Sequence, residues 1–431
     1  MSAPTKSPNS GIRPAPLFDT YKTFLSTPED EYVAERPAIA EFLKRFDSTI
    51  PVVSDLRHAR SFLKSFENQP TTFKAYRTQV ERLLLWAWII AGKSILEMRR
   101  SDAERFMDFN LAPPATWIGD AVRKRFILKD GYFEPNEDWR PFGIQVAKSD
   151  RKRAAEAGVE VEVAGYAMAQ GSVRQVFSIC SSFFEFLTQE DIALGNPFKA
   201  IKGKGRWVRS KTKYSSGKSL TQLQWDFVIE TAGIMADEEP KTHERTLFIV
   251  ASLFSMYLRV SDLVGNQYWT PTMGSFIRKD DAWWYTVIGK GNVEGSIAVK
   301  PDYLAYLTRY RQSRNLTALP LKDEKAPLLT KLNGRPGLTD RQVRNIVQQV
   351  FDRAFKRMNE EGRTECEVDD LRSATLHWLR HTGATFDAPH REAKNLQADL
   401  RHKSMSTTQD IYYNSLNDQR AAEVEGLTVR R

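Results

Sequence analysis

The sequence predicts a mainly helical chain with one small antiparallel sheet, an α+β fold, divided into two domains. A length of 431 residues is more than one ordinary core requires, so two domains are expected. Long stretches repeat apolar residues at three- and four-residue steps, which is typical of amphipathic helices. A single aromatic and β-branched stretch ends in a glycine turn, which is typical of a β-hairpin.

Two strongly periodic segments define the helical first domain, expected over residues 33 to 200. The first, TTFKAYRTQVERLLLWAWIIAG, begins at Thr71, and Gly92 stands where a helix C-cap is expected. The second, GSVRQVFSICSSFFEFL, places Cys180 on its apolar face as a small buried hydrophobe. Residues 112 to 170 between them are polar and contain Pro, and no element is predicted there.

The two ends of this domain differ from its interior. Residues 1 to 32 are rich in Pro, Ser and Thr and are expected to be a flexible tail. Residues 201 to 218, IKGKGRWVRSKTKYSSGK, hold seven Lys or Arg and no acidic residue. This linker is interpreted either as a solvated hinge or as a strap across a phosphate backbone. For the strap, the candidate DNA-binding residues are Lys202, Lys204, Arg206, Arg209, Lys211 and Lys213.

The second domain is expected over residues 219 to 431, with a C-terminal tail. Residues 282 to 288, AWWYTVI, predict a strand, followed by the turn GKGN and a short returning strand at 296 to 299. Thr339 and Gln342 form a capping box that opens a helix with apolar residues at Val343, Val347 and Val350. Helical patterns dominate the rest.

Composition excludes several classes of protein. Two cysteines allow no disulfide framework and no CxxC metal pattern, and the first residues lack an apolar signal core. The longest apolar run, residues 83 to 91, is less than half a membrane span, so a cytoplasmic protein is expected. His377 and His381 stand four apart, but neither a following Glu nor a third ligand completes a zinc site. The net charge of +9 favours a polyanionic partner.

Four short segments of the second domain are considered together: MYLRVSDLVG (256 to 265), VIGKGNVEGSIAV (287 to 299), LHWLRHTGAT (376 to 385) and LRHKSMSTTQDIYY (400 to 413). In this order they resemble the catalytic motifs of the tyrosine recombinase (phage integrase) family. Members of that family show GLR-x-SE-L, a GKG hairpin lysine, H-x-LRH-T, and GH followed nine or ten residues later by tyrosine, in this order. The catalytic residues that the resemblance implies are Arg259, Lys290, His377, Arg380, His402 and Tyr412.

The match has departures. Arg401 replaces the usual Gly before the second histidine, and Gly295 stands where the hairpin often carries Arg. Asp262 holds the acidic position after the first arginine. Tyr413 is a second candidate nucleophile, but it falls eleven residues after His402 whereas Tyr412 falls ten after it. No catalytic group of the family is missing.

The resemblance implies a fold, a reaction and partners. The fold is a C-shaped clamp on double-stranded DNA, made of a helical core-binding (SAM-like) domain and a mixed catalytic domain. The reaction is site-specific cleavage and rejoining of DNA through a 3′-phosphotyrosine, with no metal or ATP. The enzyme is expected to act as a tetramer on two DNA sites in the bacterial nucleoid, on behalf of a mobile element, with accessory DNA-bending proteins or co-encoded recombinases. The alternatives are relaxation of DNA in the manner of a type IB topoisomerase and DNA binding without catalysis.

Overall fold

Two compact units make up the computed structural model of the chain. The first comprises Met1–Val146 and Glu160–Lys213, and the second Ala147–Val159 and Tyr214–Arg431. The structure describes residues 9, 11–28, 31–121, 123–129, 132–160, 165–208, 218–289, 293–405, 408–409 and 427. Both units are built mainly of helices with small sheets, which confirms the predicted fold class.

The first unit is a helical bundle with two small sheets. Its helices are α1 (Tyr21–Ser26), α2 (Pro37–Leu43), α3 (Val52–Lys64), α4 (Pro70–Leu85), α5 (Arg100–Leu111) and, after one helix of the second unit, α7 (Gln170–Gln189). Strand β1 (Ile118–Gly119) pairs in parallel with β4 (Phe142–Gly143), and β2 (Phe126–Lys129) forms a hairpin with β3 (Tyr132–Pro135).

The core of the first unit lies where α3 and α7 pack on α4. Helix α4 continues into a π-helical turn, Trp86–Ala91, which ends at Gly92 with φ of 66°. A left-handed residue at the end of a helix favours Gly, so the predicted C-cap is confirmed. Cys180 is fully buried as predicted, and burial raises the pKa of its thiol.

The prediction of a flexible tail over residues 1 to 32 is wrong for the segment around Leu17. The side chains of Leu17, Phe18 and Phe24 are buried. The buried Glu81 carboxylate accepts hydrogen bonds from the backbone N–H groups of Leu17 at 2.7 Å and Phe18 at 3.2 Å. A short apolar segment held through its backbone has no periodicity, which is why the sequence pattern does not reveal it.

The domain predicted over residues 33 to 200 contains a helix of the second unit. Helix α6 (Lys148–Ala157) lies in the segment where no element is predicted, and it packs against α13 (Glu365–Ser373). Polar contacts hold it there. The Lys148 ammonium donates to Gln348 Oε1 at 2.6 Å, and Glu156 pairs with Arg372 at 3.0 Å. A mostly polar helix of ten residues gives little apolar pattern to detect.

Helix α9 is the central element of the second unit. The remaining helices are α8 (Gln222–Glu238), α9 (Pro240–Ser255), α10 (Val260–Val264), α11 (Tyr303–Gln312), α12 (Asp340–Glu360), α14 (Leu376–Asp387) and α15 (Ala393–Leu400). Helices α8, α11, α12 and α14 all contact α9. Thr339 caps α12 with Gln342 as predicted, and Val343, Val347 and Val350 are buried.

A three-stranded antiparallel sheet completes the second unit. Its strands are β5 (Phe276–Lys279), β6 (Ala282–Ile288) and β7 (Glu294–Ala298), in that order. The predicted hairpin is therefore present with one further strand, β5. Tyr285 lies opposite Ile297 on the buried face, and α15 packs beside β7. None of the helices formed by the described residues is long and apolar enough to cross a membrane.

Candidate active site

Four of the six predicted catalytic residues meet in the second unit. Arg259 is the N-cap of α10, His377 and Arg380 lie on α14, and His402 follows the end of α15. Lys290 and Tyr412 lie outside the described residues. Arg259 stands more than a hundred positions before His377, Arg380 and His402, so the tertiary fold is what brings it into the cluster.

The carbonyl oxygen of Leu400 joins the two arginines. It accepts a hydrogen bond from Arg380 Nη2 at 2.6 Å and a longer one from Arg259 Nη2 at 3.4 Å. Arg380 also donates through Nη1 to the carbonyl oxygen of Tyr257, and its side chain is buried. These backbone acceptors hold Arg380 in place while no substrate is bound.

His402 is held on both ring nitrogens. Its Nε2 lies 3.3 Å from Arg380 Nη2, and its Nδ1 lies 3.0 Å from Thr408 Oγ1. A guanidinium only donates, so Nε2 is the acceptor and the proton of the neutral ring resides on Nδ1. Burial, followed by the charge of Arg380 and then Arg259, lowers the pKa of His402 to about 4. The ring is therefore neutral at pH 7.

His381 lies next to the site, although the sequence does not assign it to the site. Its ring meets the ring of His377 edge-on, with centroids 4.5 Å apart. Burial lowers the pKa of His377, with further contributions from Arg380 and Arg259, and burial beside His377 lowers that of His381 to about 4. The spacing of four on one helix is the available signal, and from the sequence it is interpreted only as a metal pair that lacks a third ligand. Among the described residues no group of three potential metal ligands occurs.

The helix that carries His377 and Arg380 crosses α9 at very close range. A Cβ atom added at Gly383 would lie 2.1 Å from the carbonyl oxygen of Phe254. Beside it, the Thr382 hydroxyl donates to the Trp378 carbonyl at 2.8 Å and accepts from the Leu220 backbone N–H at 2.9 Å. Thr382 and Gly383 thus determine how closely α14 packs against α9 and the segment at Leu220.

Tyr257 and Arg401 occupy the two motif positions at which recombinases usually have Gly. Both have left-handed backbones, each with φ of 52°. The Tyr257 hydroxyl donates to Asp387 Oδ2, and the Arg401 guanidinium pairs with Asp262. The left-handed conformation explains why glycine suits these positions, and here a side chain with a partner takes its place at each.

The first half of the basic linker is anchored on the first unit. The Arg206 guanidinium pairs with Asp108 at 2.7 Å, and the indole N–H of the buried Trp207 donates to the same carboxylate at 2.8 Å. The Lys204 ammonium lies 5.4 Å from the centre of the Phe177 ring. Lys202 is exposed, and Arg209, Lys211 and Lys213 lie outside the described residues.

A groove beside this anchored turn carries basic and hydroxyl groups. Its lining includes Arg174 and three serines of α7 together with Lys199 and Lys204, and also Glu185, whose carboxylate pairs with Lys199. Side chains of these types are common partners of phosphate oxygens. From the sequence, α7 is identified only as a core helix, because its apolar face is the stronger pattern.

Comparison with known proteins gives a likeness of fold. No protein-family model matches the sequence, and no curated protein matches it. The XerH site-specific recombinase, in a post-cleavage complex with palindromic difH substrate, aligns over 98% of this chain and 99% of its own, with a TM-score of 0.53 and 12% identity. The chain has the fold of a site-specific recombinase.

Two further solved structures are similar at a lower level. The Tn1549 transposon integrase, in complex with transposon right end DNA, aligns over 86% of this chain and 99% of its own, with a TM-score of 0.48 and 16% identity. A lambda integrase dimer bound to a COC′ core site aligns over 81% of this chain and 95% of its own, with a TM-score of 0.46 and 12% identity.

Proposed function

We propose that the protein is a site-specific DNA recombinase that cleaves and rejoins strands through a 3′-phosphotyrosine on Tyr412. The observation that carries the proposal is the cluster of Arg259, Arg380, His377 and His402, assembled in the fold that the chain shares with XerH. The XerH structure is a post-cleavage complex with its DNA substrate, which supports DNA as the substrate here.

The geometry suits attack on a phosphodiester. Two guanidinium groups that both reach the Leu400 carbonyl converge on one small volume. A phosphate there would meet paired donors that favour the negative charge growing on its non-bridging oxygens. His377 adds a hydrogen-bonding group on the same helix as Arg380. These side chains supply the positive charge that a metal ion provides in other phosphoryl-transfer sites.

Two proton transfers accompany the exchange of bonds at phosphorus, one from the tyrosine and one to the leaving 5′ oxygen. The Tyr412 oxygen forms a bond to phosphorus as the bond to the 5′ oxygen breaks. His402 is neutral and offers the lone pair of Nε2 once Arg380 turns to the phosphate, so it can accept the tyrosine proton. Lys290 donates a proton to the departing 5′ oxygen. Rejoining reverses both transfers, so that no cofactor is consumed.

The remaining assignments concern the whole molecule. The first unit would act as the core-binding domain, with the α7 groove and the basic linker against the DNA backbone. Recombination between two sites would require a tetramer on two duplexes, as expected for a mobile element in a bacterial nucleoid. Accessory DNA-bending proteins or co-encoded recombinases would set the direction of the reaction.

A nicked suicide substrate tests the proposal. The unchanged protein should form a covalent adduct with this DNA, and Tyr412→Phe should form none while binding DNA almost as tightly, because only a hydroxyl is lost. Tyr413→Phe is the matched control and should still form the adduct. Peptide mapping that places the nucleotide on Tyr413, or the lack of any adduct, would contradict the assignment.

A second assay separates recombination from the two alternatives. A plasmid with two target sites should recombine. Relaxation of a supercoiled plasmid without dependence on paired sites would indicate a topoisomerase, and binding with neither reaction would indicate a non-catalytic DNA-binding protein.

A further inference from the structure

Arg401 combines a left-handed backbone with a long, paired side chain. It is the C-cap of α15, with φ of 52° and ψ of 46°, directly before His402. Glycine is the residue that adopts this conformation most easily. The chain therefore has an arginine in a backbone conformation that disfavours it, and the contacts of its side chain give a reason for its presence.

The Arg401 guanidinium reaches the acidic residue that fixes Arg259. It pairs with Asp262 Oδ2, and the side chains are 16% and 4% exposed. The same oxygen accepts the backbone N–H of Arg259 at 2.7 Å. One carboxylate oxygen thus holds both the backbone of the first catalytic arginine and the residue that precedes the second catalytic histidine.

The Arg401 side chain crosses the hairpin formed by β6 and β7. A Cβ atom at Gly295, on β7, would lie 2.9 Å from Arg401 Cδ, closer than two carbons can approach, and a Cβ at Gly289 would lie 3.8 Å from Nη1. The path of the arginine therefore exists because residue 295 has no side chain. Two of the departures from the recombinase motifs, Arg at 401 and Gly at 295, are one complementary feature.

We propose that Arg401 is a positioning residue that holds three catalytic segments in register through Asp262. These are the start of α10 at Arg259, the end of α15 at His402 and the base of the hairpin between β6 and β7. Arg401 acts through Asp262 and Gly295 and need not touch the substrate. The proposal rests on the proposed recombinase function, and its residues are distinct from those assigned to the reaction.

The test uses the full chain and a double-mutant cycle. The variants are Arg401→Gly, Gly295→Ala, their combination, and the conservative Arg401→Lys. Gly233→Ala is the matched control, because this glycine lies on α8 with open space where a Cβ would be. Three quantities are measured: the single-turnover rate of adduct formation on a nicked substrate, the Kd for the same DNA, and the Tm.

A positioning role predicts a loss of rate with little change in affinity. Arg401→Gly should slow adduct formation by about 10- to 100-fold, the effect expected of a misplacement on the order of 1 Å. Its Kd should change less than about threefold, and Arg401→Lys should recover part of the rate since it keeps the charge. Gly295→Ala should slow the unmodified chain, and it should have no further effect once Arg401→Gly has removed the clash.

Specific outcomes would overturn the proposal. A normal rate for Arg401→Gly, or independent effects of the two changes that multiply in the double variant, would remove Arg401 from this role. An equal loss of DNA affinity would show a general structural role instead. If Arg401→Gly does not fold, the effect of Gly295→Ala on rate and Kd decides the question. Absence of an adduct with the unchanged protein would refute the proposed function itself. The reaction of the unchanged protein therefore distinguishes that failure from a failure of the proposal for Arg401.

Discussion

Arg380 Nη2 lies 3.3 Å from the Nε2 atom of His402. A permanent cation at this distance opposes protonation of the ring, and burial opposes it further. The site is therefore set up with a neutral imidazole whose second nitrogen is oriented by Thr408. This combination keeps His402 neutral at pH 7, the form that the proposed transfer of the tyrosine proton requires.

The protonation state of His402 can be measured directly in the DNA-free protein. Its imidazole signals should titrate near pH 4, the lowered pKa, whereas the ordinary value is 6.5. Between these values the unfolded chain binds more protons than the folded one, so the free energy of unfolding should fall as pH drops from about 6.5 toward 4. NMR of the histidine ring protons, assigned with His402→Gln, would give the pKa. A midpoint near 6.5 would contradict the prediction.

Lys290 is expected to act as the acid that protonates the leaving 5′ oxygen. Lys290→Ala should slow cleavage of normal DNA and should have little effect on DNA with a 5′-bridging phosphorothioate, whose sulfur leaves without a proton. Lys279→Ala, at an exposed lysine beside the turn between β5 and β6, is the control and should behave as the parent with both substrates. Equal losses on both substrates would remove Lys290 from this role.

Gly383 should be among the residues least tolerant of substitution. Gly383→Ala would place a methyl group 2.1 Å from the Phe254 carbonyl oxygen and force α14 away from α9. Overpacking of this kind costs about 1–3 kcal/mol and here also displaces His377 and Arg380. Denaturant unfolding would measure the loss against Gly233→Ala, which should be neutral or slightly stabilising on its helix. Wild-type stability of the Gly383→Ala variant would show that α14 can move away from α9 without a loss in the free energy of unfolding.

Lys202 and Arg206, in the anchored part of the linker, should contribute unequally to DNA binding. Lys202→Ala should lower the slope of log affinity against log salt by roughly 0.9, the value for one lost phosphate contact. Arg206→Ala should lower it less, because this arginine already pairs with Asp108. Lys356→Ala makes the same change of net charge on α12 and serves as control. If all three variants show the salt dependence of the parent, the hinge interpretation is favoured for Lys202.

The sequence was most informative where short-range pattern and chemistry coincide. Helices α4, α7 and α12 and the β6–β7 hairpin could be predicted from local spacing. The meeting of Arg259, His377, Arg380 and His402 was expected from the resemblance of their motifs to those of tyrosine recombinases. Lys290 and Tyr412 stay predictions, because they lie outside the described residues.

Long-range polar pairs were beyond the reach of that reasoning. Arg401 and Asp262 stand 139 positions apart, and nothing in either segment alone specifies their pairing. Leu17 and Phe18 are fixed by backbone hydrogen bonds to Glu81, which leave no periodic signature. Helix α6 is held by ions and amides, so its assignment to the second unit depends on partners far along the chain.

The placement of α6 limits how the protein can be dissected. The chain passes between the two units at 146/147, 159/160 and 213/214, so a single cut in the linker leaves two connections intact. A fragment starting at residue 219 would lack α6 and would leave the Ala374 carbonyl, just before the helix of His377, without the Lys148 ammonium that donates to it. A working isolated catalytic fragment should need a grafted or separately supplied peptide spanning residues 147 to 159. The compact unit that carries the candidate site is therefore discontinuous in sequence.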